Sequence, residues 1–467
     1  MRLAVLFESP VEKEMDLEIS SPANRPAARC PWRVLLAIAA PIGILVLSLA
    51  LDGCPQSPKE PIALTFLDPE WSHDSRERRS ISEDVLQEFT RTTGIRVTHL
   101  PSPENSPAQL ALALDLLKKS APTPDVYGID VIWPGILNKY LVDLKPHFAA
   151  EIASQDPELV ANYTVKGKLV AVPYHADIGA LYYRTDLIQK YGYREPPQTW
   201  DELEKMAARI QEGERTKGAK DFWGFVWPGT ASEGLTCNAL EWQFAEGGGR
   251  IIEPGGTISV NNPKAIRAWE RAARWVGSIS PPSVISYEEW DAANAFWTSG
   301  RAAFFRGWTS DYFISHPVNY SVSAQSGLTS VPGGAVARAG MLGGFGLAIS
   351  RSSAHPLQAV ELIRFLLRKE AELEEKRTHS EPPKRPALYE LPTILTAYAR
   401  AANSVGKPGS GVVTRPSTVT AQKYEEVSRA YVRTVHSVLT GELKAPAAAD
   451  ALERELVGIT GFETGKP

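Results

Sequence analysis

The stretch DVYGIDVIWP, residues 125–134, indicates how this chain folds. The run up to Asp130 is typical of a buried strand, and Pro134 stands where a helix would begin its first turn. The same order of elements is predicted upstream, where strands at 62–67 and 95–100 are each followed by helical periodicity. Because strands alternate with helices, we expect an α/β fold with a mostly parallel, doubly wound sheet.

A second alternation of strands and helices begins near residue 200. Its predicted elements are helices at 200–211, 235–245, 263–276 and 356–373 and extended runs at 222–227, 301–305 and 342–349. Two alternations in a chain of 467 residues predict two lobes. Open α/β sheets place ligands beyond the carboxyl ends of their strands, so the candidate site is the cleft between the lobes.

The composition excludes several classes of function. With 50 Lys+Arg against 54 Asp+Glu, the net charge of −4 gives no reason to expect nucleic-acid binding. Only 3 Cys and 8 His are present, so we expect no metal site, and the chain has no phosphate-loop, zinc-protease, nucleophile-elbow or dinucleotide motif. We therefore predict no cofactor, no catalytic residues and no enzyme activity. Cys237 is expected to be a small buried hydrophobe.

The N-terminus resembles a bacterial lipoprotein signal. Residues 34–51 are free of charge and follow Arg33, as in a secretory signal peptide. Leu51-Asp52-Gly53-Cys54 comes next and resembles a lipobox, although Asp52 departs from the usual small apolar residue. We predict a signal peptide at 1–53 with lipid on Cys54, and a spacer at 54–61. An uncleaved signal anchor and a true start at Met15 remain alternatives.

Aromatic side chains pair with acids or amides near the predicted strand ends. Asp130 precedes Trp133, and Tyr174 precedes Asp177. Trp308 follows another strand. A sugar needs this mixture, because carboxylates hold its hydroxyl groups while flat rings pack against its C–H faces. Paired carboxylates beside aromatic rings also suit a glycoside hydrolase, so that alternative stays open.

Several ordered motifs resemble those of a known family. YYRTDL at 182–187 and PPQTWDEL at 196–203 are similar to signatures of bacterial extracellular solute-binding proteins of ABC sugar importers. Further segments look like the trehalose/maltose-binding branch, namely 222–227, 233–242, 304–308 and 342–345. The resemblance extends from about residue 62 to 440.

The resemblance implies a two-lobed periplasmic-binding-protein fold with the ligand cleft between the lobes. Its three interlobe crossovers would fall near 174–180, 340–348 and 382–392. The implied N-lobe comprises 62–176 plus 345–388, and the implied C-lobe comprises 177–344 plus 389–467.

The resemblance also implies ligand-binding residues. Those carried over are Asp130, Asp177, Glu233, Trp308, Gly344 and Arg385, with Lys384 as another possible register for the arginine. The acid of the first strand corresponds to Asp68 or Glu70. Two positions depart from the branch: His175 replaces an aromatic residue, and Phe345 replaces a tryptophan. Phenylalanine stacks but donates no hydrogen bond, so the resemblance leaves open a sugar other than trehalose or maltose.

Together, these features predict a substrate-binding lipoprotein of an ABC importer. We expect it to capture a di- or oligosaccharide similar to trehalose or maltose and to deliver it to the transmembrane subunits of a permease. It would be a monomer in the periplasm or at the cell surface, held by lipid on Cys54. A glycoside hydrolase and a non-transport sugar sensor are the competing interpretations.

Overall fold

The computed structural model describes the part of the chain from residue 62 to Pro467, with gaps. The described residues are 62–68, 81, 83–100, 102–103, 106–153, 155, 157–311, 322–335, 338–379 and 412–467. Three predicted functional residues lie outside them: Cys54, Glu70 and Arg385. Within the described ranges, no helix is long and apolar enough to cross a membrane.

A mixed sheet forms the framework of the fold. Its strands are β1 (Ala63–Leu67), β2 (Arg96–Leu100), β3 (Val126–Asp130), β6 (Val172–Arg184), β7 (Trp223–Val226), β8 (Ala302–Trp308), β9 (Ser326–Ser330), β10 (Gly340–Ile349) and β11 (Val412–Val413). The order is β2-β1-β3-β10-β6-β8-β7, while β9 pairs with β6 and β11 with β10. A separate hairpin joins β4 (Thr164–Val165) to β5 (Lys168–Leu169).

Parallel pairs lie at the two ends of this sheet and at the short strand β11, which is parallel to β10. Strand β1 is parallel to β2 and β3, and β7 is parallel to β8, as strand–helix alternation predicts. In the middle, β10 is antiparallel to β3 and β6, and β6 is antiparallel to β8. The sheet is mixed rather than mostly parallel because β6 and β10 are long strands that run through both lobes.

Helices cover the sheet. They are α1 (Glu83–Thr93), α2 (Ser106–Lys118), α3 (Pro134–Leu137), α4 (Ala149–Ala153), α5 (Pro157–Asn162), α6 (Thr185–Lys190), α7 (Trp200–Thr216), α8 (Glu233–Ala245), α9 (Pro263–Trp275), α10 (Glu289–Trp297), α11 (Pro356–His379), α12 (Ser417–Thr420), α13 (Tyr424–Leu439) and α14 (Ala445–Thr460). Local sequence sets several starts: α7 begins with a capping box between Thr199 and Glu202, and Asn262 caps α9 just before Pro263.

The two largest hydrophobic cores define the two lobes: the first contains Phe66 and Ile129, and the second contains Trp200 and Leu235. Within the described residues, the chain passes between these cores at three strands, which are β6, β10 and β11. In β10, Leu342 packs in the first core and Met341 in the second. In β11, Val412 packs in the first core and Val413 in the second. The lobe boundary at 388/389 falls outside the described residues and stays a prediction.

The second core is rich in indole rings. The ring centroid of Trp242 lies 5.1 Å from that of Trp227 and 5.4 Å from that of Trp275, both edge to face. Trp269 is also fully buried. Trp242, Trp269 and Trp275, on α8 and α9, are thus core residues. Cys237 is buried as well, and burial raises the pKa of its thiol to about 12, as expected for an inert core residue.

Candidate functional site

Strand β10 lies between β3 and β6 and brings three predicted residues together. Phe345 of β10 is opposite Asp130 on one side and His175 on the other. The Phe345 ring centroid is 5.7 Å from that of His175 and 5.6 Å from that of Tyr174. Phe345 is almost fully buried, whereas His175 is exposed, so the phenyl ring packs against the buried side of the imidazole ring.

Gly344 permits this close packing of strands. Its φ of +100° lies in the region that favours glycine. A Cβ at this position would come within 2.0 Å of the His175 carbonyl oxygen. The Gly344 carbonyl also accepts a hydrogen bond of 3.2 Å from Val131 N, next to Asp130.

The carboxyl group of Asp130 is buried at the end of β3. Its Oδ1 accepts a hydrogen bond of 3.1 Å from the backbone N of Ile132. Burial raises the pKa of Asp130 to about 6, the Arg415 guanidinium lowers it, and the Glu233 carboxylate raises it. Asp130 therefore interacts electrostatically with a cation and an anion that the chain supplies from distant positions.

Arg415 is the functional candidate that sequence reasoning missed. Its Nη1 donates to Glu233 Oε1 at 2.9 Å, and its Nη2 donates to the Leu342 carbonyl at 3.1 Å. The guanidinium is buried, and its Nε has no hydrogen-bond partner among the described residues. The available signal in the sequence was a charged residue directly before Pro416, at the start of a helix. The partners of Arg415 are remote in sequence, so this signal does not identify them.

Glu233 is held by three donors. Besides Arg415, the hydroxyl of Tyr424 donates to Oε1, and the hydroxyl of Ser428 donates to Oε2 at 2.6 Å. Both hydroxyls come from α13, whereas Glu233 begins α8. Its side chain is nevertheless 37% exposed, so the carboxylate keeps an accessible side.

The indole of Trp308 is fixed at the end of β8. Its Nε1 donates to Glu289 Oε1 at 3.0 Å, and its backbone N donates to Asp311 Oδ2 at 2.7 Å. The Arg306 guanidinium lies 4.3 Å from the ring centroid. A Cβ at Gly343 would come within 2.8 Å of the ring, so β10 approaches the indole closely.

Asp177 connects β6 to the turn after Trp308. Its Oδ1 accepts from the hydroxyl of Thr309 at 2.6 Å and from Ser310 N at 3.0 Å, and its Oδ2 accepts from the Ser310 hydroxyl at 2.6 Å. Asp177 is also opposite Gly343 in the sheet. The carboxylate thus orders the turn that follows the indole.

Asp68 lies apart from this group. It is fully buried at the end of β1, and its Oδ2 is 4.0 Å from His99 Nδ1. Strand β1 is separated from β10 by β3. The sheet therefore joins Asp130, His175, Asp177, Trp308, Gly344 and Phe345 into one continuous strip, whereas Asp68 is not in that strip.

A further cavity lies away from this strip. A groove of about 510 Å³ on the second lobe is lined by residues that include Trp223, Tyr287, Asp291 and Arg301. None of the predicted ligand residues lines it. The part of the chain that the structure describes also contains no cluster of three or more His, Cys, Asp or Glu side chains arranged for a metal ion.

Comparisons with known proteins agree with this architecture. The model of the family "Bacterial extracellular solute-binding protein" matches residues 74–373. A Deinococcus radiodurans protein described as "Probable ABC transporter-binding protein" is 40% identical over 375 residues, which cover 80% of this chain and 89% of the relative.

Solved structures give the same result. Maltose-bound MalE3 of T. maritima is 30% identical, with a TM-score of 0.69, and the match covers 85% of this chain and all of that one (100%). A solute-binding protein from Agrobacterium vitis with bound D-mannitol is 19% identical, with a TM-score of 0.61, and covers 85% of this chain and 97% of its own. The second likeness is one of fold alone.

Proposed function

The chain belongs to the bacterial extracellular solute-binding protein family, and on that premise we propose that it captures a di- or oligosaccharide for an ABC importer. Members of this family bind solutes outside the cytoplasmic membrane and are not enzymes. The choice of a trehalose- or maltose-like ligand is the finer part of the proposal. The maltose-bound relative at 30% identity supports it.

One observation carries the proposal: Asp130 of one lobe and Glu233 of the other both interact with Arg415. The Arg415–Glu233 bond is direct, and Asp130 is close enough for its pKa to respond to both charges. Carboxylates on two lobes that share one cation can accept hydroxyl hydrogen bonds from a ligand between them. A ligand favours the closed state of the two lobes only because it binds that state more tightly than the open one.

The remaining residues have distinct proposed roles. Trp308 supplies an apolar face for a sugar ring, and Asp177 accepts hydroxyl hydrogen bonds while ordering the turn after the indole. His175 contributes a polar contact, and Phe345 and Gly344 shape the strand beneath it. Arg415 takes the cationic role that was carried over to Arg385.

Family membership supports a permease partner, and the lipobox-like sequence that ends at Cys54 supports the anchor. We propose that the permease recognises both lobes after closure, that the protein acts as a monomer, and that lipid on Cys54 holds it at the membrane. Labelling cells with a fatty acid tests the anchor. The label should be lost in Cys54→Ala, and a label that persists in this variant would contradict lipidation at Cys54.

A thermal-shift screen tests the sugar proposal, because a ligand that binds only the folded state raises its stability. The panel holds trehalose, maltose, maltotriose, D-mannitol and ribitol. Stabilisation by a di- or trisaccharide is expected. Stabilisation by the polyols alone would contradict the ligand class, and release of monosaccharide during incubation would favour a hydrolase instead.

A further inference from the structure

A buried ion pair lies beneath the Trp308 indole. Arg306 donates from Nε to Glu241 Oε2 at 3.0 Å and from Nη2 to Glu241 Oε1 at 2.6 Å. Both side chains are inaccessible, with 1% and 0% exposure. Removing two charges from water is costly, and apolar replacements of such pairs are often neutral or stabilising. Stability alone therefore does not account for the pair, which suggests a role in positioning.

Glu241 connects this pair to two strands that run between the lobes. Its Oε1 also accepts a hydrogen bond of 2.7 Å from Met341 N in β10. Gly179 of β6 lies against the pair, since a Cβ there would come within 1.9 Å of Glu241 Oε1 and 2.4 Å of Arg306 Nη2. Gly179 is also opposite Trp308 in the sheet. The ion pair is therefore in contact with both interlobe strands at this level.

Arg306 connects the pair to the indole. Its guanidinium carbon is 4.3 Å from the Trp308 ring centroid, a distance at which a cation is attracted to an indole ring. Its Nη1 is buried and has no hydrogen-bond partner among the described residues. The planar guanidinium is thus fixed by Glu241 on one side and contacts the indole on the other.

We propose that Arg306 and Glu241 are positioning residues that couple the arrangement of the interlobe strands β6 and β10 to the orientation of the Trp308 ring. The inference rests on the proposed function, because it assigns the pair a role in sugar affinity. Neither residue needs to touch the sugar. The pair presents the indole in the orientation that the closed lobes require.

The double variant Arg306→Met/Glu241→Gln tests this inference. It removes both charges, so that no unpaired charge stays buried, and glutamine keeps an acceptor for Met341 N. We expect at least a tenfold loss of affinity for maltose, or for trehalose if maltose does not bind, by calorimetry. Indole emission attributed to Trp308, by difference from Trp308→Phe, should also change.

A double-mutant cycle separates positioning from a general structural effect. In the Trp308→Ala background, the Arg306→Met/Glu241→Gln change should cost no further affinity. The matched control is Arg184→Met/Asp186→Asn, which removes a partly exposed ion pair of 2.7 Å at the end of β6 and should leave affinity unchanged. Wild-type affinity and emission in the double variant would overturn the inference, as would a loss that adds fully to that of Trp308→Ala.

Gly179→Ala keeps the inference testable if the double variant fails to fold. The added methyl group displaces the ion pair without removing a charge, so a loss of affinity and changed Trp308 emission are expected. Gly458→Ala is its control, because a Cβ there meets nothing within 4 Å. A Gly179→Ala protein with wild-type emission would contradict the inference. If the wild type binds neither sugar, the ligand proposal fails, while the emission change still decides the role of the pair.

Discussion

Arg415 donates to Glu233 Oε1 at 2.9 Å while its other terminal nitrogen donates to the Leu342 carbonyl of β10 at 3.1 Å. One guanidinium therefore links α8 of the second lobe to a strand that continues into the first lobe. The Arg415 guanidinium also lowers the pKa of Asp130, so the same cation acts on an acid of each lobe.

Arg415→Lys should weaken sugar binding at least tenfold. Lysine keeps the charge but cannot bond Glu233 and the Leu342 carbonyl with the fixed geometry of a guanidinium. Calorimetry measures the affinity, and Arg433→Lys is the control because its ion pair with Glu455 lies on the surface. Equal affinities of Arg415→Lys and wild type would remove Arg415 from the site.

Trp308→Ala should weaken sugar binding by about 1–3 kcal/mol, a range typical of aromatic side chains at binding hot spots. Trp308→Phe is the matched variant, since it keeps an apolar ring but loses the bond to Glu289. Its affinity should lie between those of wild type and Trp308→Ala. If Trp308→Ala folds and binds as wild type does, the indole does not contact the sugar.

Asp130→Asn should stabilise the free protein at pH 7.5 and weaken sugar binding. Burial raises the pKa of Asp130 to about 6. The folded state therefore holds this proton more tightly than the unfolded state, and the resulting stabilisation is lost as the pH rises from about 4 to about 6. The asparagine substitution should raise the free energy of unfolding by at most about 3 kcal/mol at pH 7.5, since one pKa unit corresponds to about 1.4 kcal/mol.

Melting curves at pH 4 and pH 7.5 check the Asp130→Asn prediction. The difference from wild type should be present at pH 7.5 and nearly absent at pH 4. A variant that melts below wild type at pH 7.5 would show that the ionised carboxylate stabilises the fold, contrary to this account.

Asp177→Asn should lower sugar affinity by loosening the turn after Trp308. The amide oxygen can replace Oδ1, which accepts from Thr309 and from Ser310 N, but the amide nitrogen in the place of Oδ2 cannot accept from the Ser310 hydroxyl. Asp177 is proposed both to order the turn and to accept hydrogen bonds from the sugar. Ser310→Ala separates these two roles, because it removes one donor to the carboxylate and leaves the charge of Asp177. Wild-type affinity in Asp177→Asn would mean that this position was wrongly carried over.

Much of the framework follows from local sequence. Pro134 begins α3, and Asp130 ends β3, as the apolar run and the proline predict. Trp242, Trp269, Trp275 and Cys237 lie in the core, because large apolar side chains on a helix face pack inward.

Long-range pairing was harder to predict. Strand β6 continues as one strand from Val172 to Arg184, and β9 pairs with it, yet no local pattern indicates either fact. Arg415 reaches the site because β11 pairs with β10 across about seventy residues of chain. The contacts that place it beside Glu233 and Asp130 are tertiary, so sequence spacing carries no sign of them.

Calorimetric titration of maltose into wild type and Trp308→Ala tests the central claim most directly. We expect saturable binding of one sugar per wild-type chain, with a clear loss of affinity in a Trp308→Ala protein that is still folded. Equal binding by both proteins would contradict a sugar site at this indole between the lobes.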